Sequence, residues 1–511
     1  MNGSANLNPL TTEISMPPLP SVLLESLRNI GYTIETALAD IVDNSITASA
    51  SKVSVRFLWE GGNPWVAIAD DACGMSEGEL RSAMRFGSTP PTAIRNKEDL
   101  GRFGLGMKTA SISQCRRVTV CSKVSGILSA CEWNLDRISE DHSTGWMLGV
   151  MSSQAIAQDL HLASLVESLL DGVESGTIVL WRTLDTTLAG TEKVDSERKF
   201  SELMDNARHH LETVFHRFLS PDPGCKRVSI DFNTSILQGF NPFGPAIPAR
   251  QELPSEKIRI EGEEINIQPF ILPHRNKVSR EEYDLYAGEG GYLQNQGFYV
   301  YRNKRLIVKA TWFRLIKKEE MNKLIRVRID IPNSLDHMWR INVNKSQVTA
   351  PEIVRKQLKN IINRISGRGK RVFKRRATVL KGNGKIAIWN REVRESKVTY
   401  SINHDHPLVA DIIDQIPMNL RHRLESSLRM IADSFPLDIY YNDVANDEVD
   451  VHHSADENTA RELCQQMVQA LKKCGIIGED LKKRLLGTEI PGVTEEMIGE
   501  VLEKEEEICK E

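Results

Sequence analysis

The stretch Gly31-Tyr-Thr-Ile-Glu-Thr-Ala-Leu-Ala-Asp-Ile-Val-Asp-Asn-Ser-Ile-Thr-Ala48 carries two different faces. Ile34, Ala37, Leu38, Ile41 and Val42 recur at i, i+3, i+4, i+7 and i+8, the spacing of an apolar helical stripe that needs burial. The other face holds Asp40, Asp43, Asn44 and Thr47, three and four residues apart and so side by side. An acid one turn before an asparagine is a compact place for a cation and a water. The amide oxygen can ligate a hard ion such as Mg2+, and the carboxylate can orient or deprotonate the water. Taken alone, the pattern equally describes a surface helix with a solvated acidic face.

The surrounding chain sharpens the choice. Lys52–Leu58 alternates as a strand, Gly61-Gly62-Asn63-Pro64 turns, and Trp65–Asp70 is a second apolar strand. That strand ends at Asp70-Asp71-Ala72-Cys73-Gly74-Met75, and Ser76-Glu77-Gly78-Glu79 opens a helix. Residues 85–101 lack a period, as lids do. They lead into Gly101-Arg-Phe-Gly104-Leu105-Gly106-Met107-Lys108-Thr-Ala-Ser111, glycines opening a helix whose first N–H groups suit an anion. It is not a P-loop, because Met107 separates Gly106 from Lys108. It is not a dinucleotide fingerprint either, because position 109 is Thr. Strands follow at 118–122, 127–134 and 177–182, giving a sheet covered by helices on one face. Upstream, residues 1–17 read as a flexible segment and Leu19–Ile30 as a helix.

Glu197–Phe218 is a strong helical pattern bridging to a second α+β unit. Its strands are expected at Val228–Phe232, Lys257–Glu261, Ile265–Ile271, Gly297–Tyr301 and Leu324–Ile331, with a helix at 348–365. The implied organisation is a segment 1–17, a first domain 18–190, a second domain 191–365 with its bridging helix at 196–220, and a basic linker with a mainly helical region at 366–511. From Arg355 to Lys381 the chain is rich in Lys and Arg and holds no acid, which admits contacts to nucleic-acid phosphates. At 511 residues, with a formal charge of −4, the whole is too long for one core and too neutral to coat nucleic acid. Eight cysteines without a CxxC pair, no signal-peptide pattern and no membrane-length apolar run point to a cytoplasmic protein with no membrane partner.

The order of the pieces, from Asp40 and Asn44 through Asp70 and Gly74, a lid loop, Gly101/Gly104/Gly106 and then Gly176-Thr177, resembles the GHKL ATPase superfamily. That family comprises the gyrase B subunit, the heat-shock chaperone of the ninety-kilodalton class, histidine kinases and MutL, and the likeness spans residues 20–185. The resemblance implies an α+β chain with a Bergerat α/β sandwich that binds ATP and Mg2+. Asn44 then ligates the metal and Asp40 stands at the general-base position. Asp70 accepts the adenine amine with a water held near Thr177, and Gly74 and Met75 lie at the base. Gly101, Gly104, Leu105, Gly106 and Met107 wrap the phosphates, and Lys108 is a phosphate cation. Two positions depart from the family pattern: Asp40 stands where hydrolysing members usually carry Glu, and Ala72 replaces a glycine.

Gln296-Gly-Phe-Tyr-Val-Tyr-Arg302-Asn303-Lys304-Arg305-Leu-Ile307 and Trp339-Arg-Ile-Asn-Val-Asn-Lys345-Ser resemble the transducer domain of MORC ATPases and their bacterial relatives. Such a domain sends a lysine to the γ-phosphate; Lys345 fits that role, with Arg340 as the alternative. The resemblance further implies an ATP-driven homodimer working in DNA manipulation or anti-phage, restriction-type defence, beside a nuclease, helicase or methyltransferase. A chaperone-like remodelling ATPase and a slow ATP-switched scaffold are the competing readings.

Overall fold

Gly31, at φ +87°, turns the chain out of α1 (Pro20–Arg28), and Thr33 and Thr36 close a capping box that starts α2 (Ile34–Thr47). The computed structural model describes residues 16, 18–87, 100, 106–140, 145–186, 195–221, 226–339, 342, 345, 348–378, 386–394, 397–435, 457–488, 490 and 492–508. The apolar stripe of α2 is buried throughout. It packs against α4 (Gly106–Gln114) and α8 (Ser196–Val214), and α3 (Glu77–Met84) begins on a capping box of Ser76 and Glu79.

These helices lie on a sheet built from β1 (Lys52–Leu58), β2 (Trp65–Asp70), β3 (Arg117–Val124), β4 (Ile127–Asn134), β5 (Gly149–Met151), β6 (Gly176–Arg182), β7 (Ser229–Phe232) and β8 (Ser235–Ile236). Among the described residues its order is β5-β4-β3-β6-β2-β1-β7-β8. Alternation along the strands sends Val53, Val55, Val66, Ile68, Val120 and Trp181 into the core beneath α2. Ala67, Ala69, Cys121, Ile178 and Leu180 point to the opposite face. There they are covered by α6 (Ser153–Gln158) and α7 (Leu160–Leu169), after the short α5 (Leu135–Glu140). The sheet therefore carries helices on both faces and not on one. Its second face is apolar as well, and an apolar face needs cover.

The sequence reading of 228–232 is also corrected. That strand completes the first sheet, with Lys52–Val55 running parallel to Ser229–Phe232. A parallel pair needs a helical crossover, and α8 belongs to it: Phe200, Met204 and Leu211 are part of the first core. The helical pattern read as 196–220 breaks at Phe215 into α8 and α9 (His216–Leu219). The first core thus extends through Leu237, well past residue 190.

The second sheet comprises β9 (Gln251–Glu252), β10 (Glu256–Ile260), β11 (Glu263–Ile271), β12 (Gly297–Arg302), β13 (Arg305–Thr311) and β14 (Ile325–Ile331). Its order is β10-β11-β14-β12-β13, with β9 on β11. Helices α10 (Arg280–Ala287) and α11 (Gly291–Gln294) precede β12. Strand β13 was not foreseen. It follows a two-residue turn in which Asn303 and Lys304 both adopt positive φ (48° and 69°), the conformation that matches hairpin twist. Arg305 is the first residue after that turn. Helix α12 (Glu352–Thr378) seats Val354, Leu358, Ile361, Ile362 and Ile365 in the second core. Of the basic stretch, Arg364 pairs with Glu256 and Arg355 donates to the Phe313 carbonyl, while Lys356 and Lys359 are exposed.

The chain divides into two compact units, Met1–Ile365 and Ser366–Glu511. The second unit holds a hairpin of β15 (Trp389–Arg394) and β16 (Lys397–Ile402), then α13 (Pro407–Gln415), α14 (Met418–Asp433), α15 (Glu457–Lys473), α16 (Glu479–Leu486) and α17 (Glu495–Ile508). Cys464, Met467, Leu471, Leu485 and Val501 form its core. Among the described residues no helix is long and apolar enough to cross a membrane.

Candidate functional site

Two polar clusters flank α2. At its C-terminal end, Asp70 closes β2 directly opposite Thr177 of β6. Ser45 Oγ donates to Asp70 Oδ2 at 2.7 Å, and the Ala72 N–H donates to Oδ1 at 3.1 Å. Burial pushes the Asp70 carboxyl above the usual carboxylate range, with these bonds pulling it part of the way back. Ser122 ties the neighbourhood together: its Oγ lies 3.0 Å from Thr177 Oγ1, donates to the Gly176 carbonyl at 3.1 Å, and accepts the Met75 N–H at 2.8 Å. Gly74 sits at φ +67°, where a methyl group would overlap the Lys123 carbonyl oxygen. A methyl on Gly176 would likewise strike the Asp70 carbonyl oxygen. Both glycines are fixed by strand packing.

The second cluster surrounds Asp40. Tyr32 donates its hydroxyl to Asp40 Oδ2 at 2.7 Å. Lys345 Nζ donates to Asp40 Oδ1 at 3.0 Å and to Asp43 Oδ2 at 2.6 Å. Arg305 Nε lies 3.1 and 2.9 Å from the two oxygens of Asp43, and an Arg305 Nη is 3.8 Å from Asp40. All four charged groups are buried, with Asp40 2%, Asp43 0%, Arg305 3% and Lys345 8% exposed. The solvated-face reading of α2 therefore fails at these positions, which are interior. Two buried carboxylates persist there because two cations face them. Burial works against the Asp43 charge, but Arg305 and then Lys345 outweigh it and hold the carboxyl below its usual range. Burial, and next the Asp40 charge, push the Tyr32 phenol well up, so it stays a protonated donor. The start of α4 abuts the cluster, since a Cβ on Gly106 would be 3.5 Å from Asp40 Oδ2. Asn44, one turn beyond Asp40, is exposed.

A family model described as Histidine kinase-, DNA gyrase B-, and HSP90-like ATPase matches residues 32–165. This segment is an ATPase domain of that family. The match begins at Tyr32 and takes in α2, the Asp70 turn and α4. ATPase morc-1 of Caenorhabditis elegans is 28% identical over 95 residues, 19% of this chain and 11% of that protein. The DNA mismatch repair protein MutL of Thermoanaerobacter sp. (strain X514) is 32% identical over 93 residues, 17% and 15% of the two chains. MutL of Rhizorhabdus wittichii is 37% identical over 119 residues, 22% and 19%. The chain spans at most a fifth of the length of the curated relatives it matches.

Within the ATPase domain, Asp40 and Asn44 share a helix face, Gly106 lies against Asp40, and Lys345 of the second sheet's domain reaches the same carboxylate. Asp70, Gly74, Met75 and Thr177 form the other cluster, joined to α2 through Ser45. Met107 is half-buried against the core. Gly101, Gly104, Leu105, Arg340 and most of the lid loop lie outside the described residues. In this arrangement the Lys108 ammonium donates to the Ala83 carbonyl at 2.7 Å and rests 5.8 Å from the centre of the Phe86 ring. Tyr32, Asp43, Arg305, Ser45 and Ser122 were not read as site residues. Tyr32, Asp43 and Ser45 lie in the Gly31–Ala48 stretch and Arg305 in Gln296–Ile307. Tyr32, Ser45 and Ser122 carry no periodic signal.

Lys108 supplies a pH test. Burial lowers its pKa from 10.5 to about 8. Between those values the folded chain has released a proton that the unfolded chain still holds, so the stability tied to this residue rises with pH across that window. The denaturation midpoint of the wild type relative to Lys108→Met should climb from pH 8 to 10.5; a flat difference would refute the assignment.

Proposed function

We propose that the chain is a Mg2+-dependent ATPase of the GHKL type, MORC-like in organisation, whose second domain completes the nucleotide site. The observation that carries this reading is Lys345, held at Asp40 beside the start of α4 by contacts that an arriving γ-phosphate can replace. In this reading the Asp70 carboxylate accepts the adenine amine, and the N–H groups at the start of α4 receive phosphate oxygens. Lys345 takes the γ-phosphate, and Asp40 orients the attacking water. The donor set suits Mg2+, because Asn44 offers an exposed amide oxygen on the face it shares with Asp40. When bound, the ion would stabilise charge on the phosphate oxygens.

ATP binding then brings two copies together as a cytoplasmic homodimer. The exposed Lys356 and Lys359 and the basic stretch through 381 offer phosphate contacts to duplex DNA, giving affinity without sequence choice. MutL relatives named for DNA mismatch repair support a setting in DNA manipulation; work in defence beside a nuclease, helicase or methyltransferase rests on the MORC-like resemblance alone. A second reading, the slow ATP-switched scaffold, is favoured by Asp40 itself, whose two oxygens already receive Tyr32 and Lys345. Nucleotide binding with and without Mg2+, turnover and sedimentation, with and without duplex DNA at two salt concentrations, decide between them. ATP-dependent dimers with DNA-stimulated, salt-sensitive turnover support the first reading. Dimers with negligible turnover support the second, and failure to bind ATP overturns both.

A further inference from the structure

We infer that Arg305 is a positioning residue: it is the fixed counter-ion of Asp43, and so leaves Lys345 transferable to the nucleotide. The inference rests on the proposed role of Lys345. Asp43 is wholly buried and cannot be rescued by water if it loses its partners. It holds two cations at once, Lys345 at 2.6 Å and the Arg305 Nε at 2.9 and 3.1 Å from its two oxygens.

The two cations differ in how tightly the fold grips them. Arg305 follows directly on the Asn303–Lys304 turn, donates through Nη1 to the Leu306 carbonyl at 3.0 Å, and lies 5.9 Å from the centre of the Phe215 ring. Its guanidinium is planar, permanently charged and held on several sides. Lys345 is the more exposed of the pair, and its ammonium is a point charge on a flexible stem. If Lys345 leaves, Asp43 keeps Arg305, while Asp40 keeps the Tyr32 hydroxyl and an Arg305 Nη at 3.8 Å. Without Arg305, Lys345 would be the counter-ion left to a buried carboxylate among the described residues, and a γ-phosphate would have to win it away.

The test is equilibrium binding of ATP and of ADP, which lacks the γ-phosphate, by the full chain. The wild type should bind ATP more tightly than ADP, and Lys345→Met should erase the difference. Failure of either result sinks the Lys345 reading and this inference with it. With those in hand, Arg305→Met should weaken ATP about tenfold or more while moving ADP less than about twofold, a selective loss of roughly one decade. Arg305→Lys should fall between, since an ammonium keeps the charge but cannot hold Asp43 through the Nε–H and the Leu306 carbonyl through Nη1 at once. Adding Asp43→Asn to Arg305→Met should restore much of the ATP affinity, because Asp43→Asn leaves no charge there to strand and Asp40 keeps the Tyr32 hydroxyl when Lys345 departs. A purely structural role would weaken both nucleotides alike. That outcome, or a double variant no better than Arg305→Met, overturns the role of Arg305 while leaving that of Lys345 intact.

Discussion

Lys345→Met is expected to lower ATP turnover at saturating nucleotide by about 10²–10³-fold, the loss seen when one preorganised charge-stabilising donor is removed. Methionine keeps much of the stem's packing, so the change is chiefly electrostatic. The cluster passes from two acids facing two bases to two acids facing Arg305 alone. A net negative charge is then left beside the start of α4, where phosphate oxygens are proposed to sit. Binding and chemistry should suffer together, because the lysine meets the γ-phosphate in the ground state and holds it more strongly as charge develops in the transition state. Turnover measured at several ATP concentrations separates the two effects. Parental turnover in this variant would remove Lys345 from the chemistry. A loss seen only at low ATP would confine it to binding.

Much of the ATPase domain was legible because its signals are local. The boundaries read for 52–58 and 65–70 coincide with β1 and β2, since apolar residues there stop at turn residues. The apolar stripe of α2 fixed the helix and its inner face. The polar face was harder, because periodicity locates apolar surface and says nothing of where charged residues end up. An acid solvated by water and an acid paired inside a protein look alike in a sequence. The cations that decide the matter stand 262 and 302 residues further along, on a strand start and a loop. Helices α6 and α7 escaped for a related reason. The sheet face they cover is lined partly by Ala67, Ala69 and Cys121, small residues that carry little hydrophobic signal. Strand β7 was seen but assigned to the wrong sheet, since partner choice depends on the crossover and not on the strand's own residues.

Asp40→Asn is expected to separate binding from turnover. Asparagine matches the shape and can still accept the Tyr32 hydroxyl through its amide oxygen, while its amide nitrogen no longer accepts Lys345, which keeps Asp43. The cluster gains one net positive charge, which favours a phosphate, and ATP affinity should hold or tighten. Turnover should fall by about 10²–10⁴-fold if the carboxylate is the general base. Asp40→Glu probes the same point from the other side, with the carboxylate one methylene longer. At a site so enclosed the extra methylene should cost about 1–3 kcal/mol of stability. A rise in turnover despite that cost would show that reach limits the wild-type base. If instead Asp40→Asn hydrolyses ATP at the parental rate, Asp40 serves as an anchor for Lys345 and Tyr32, and the water is oriented by another group.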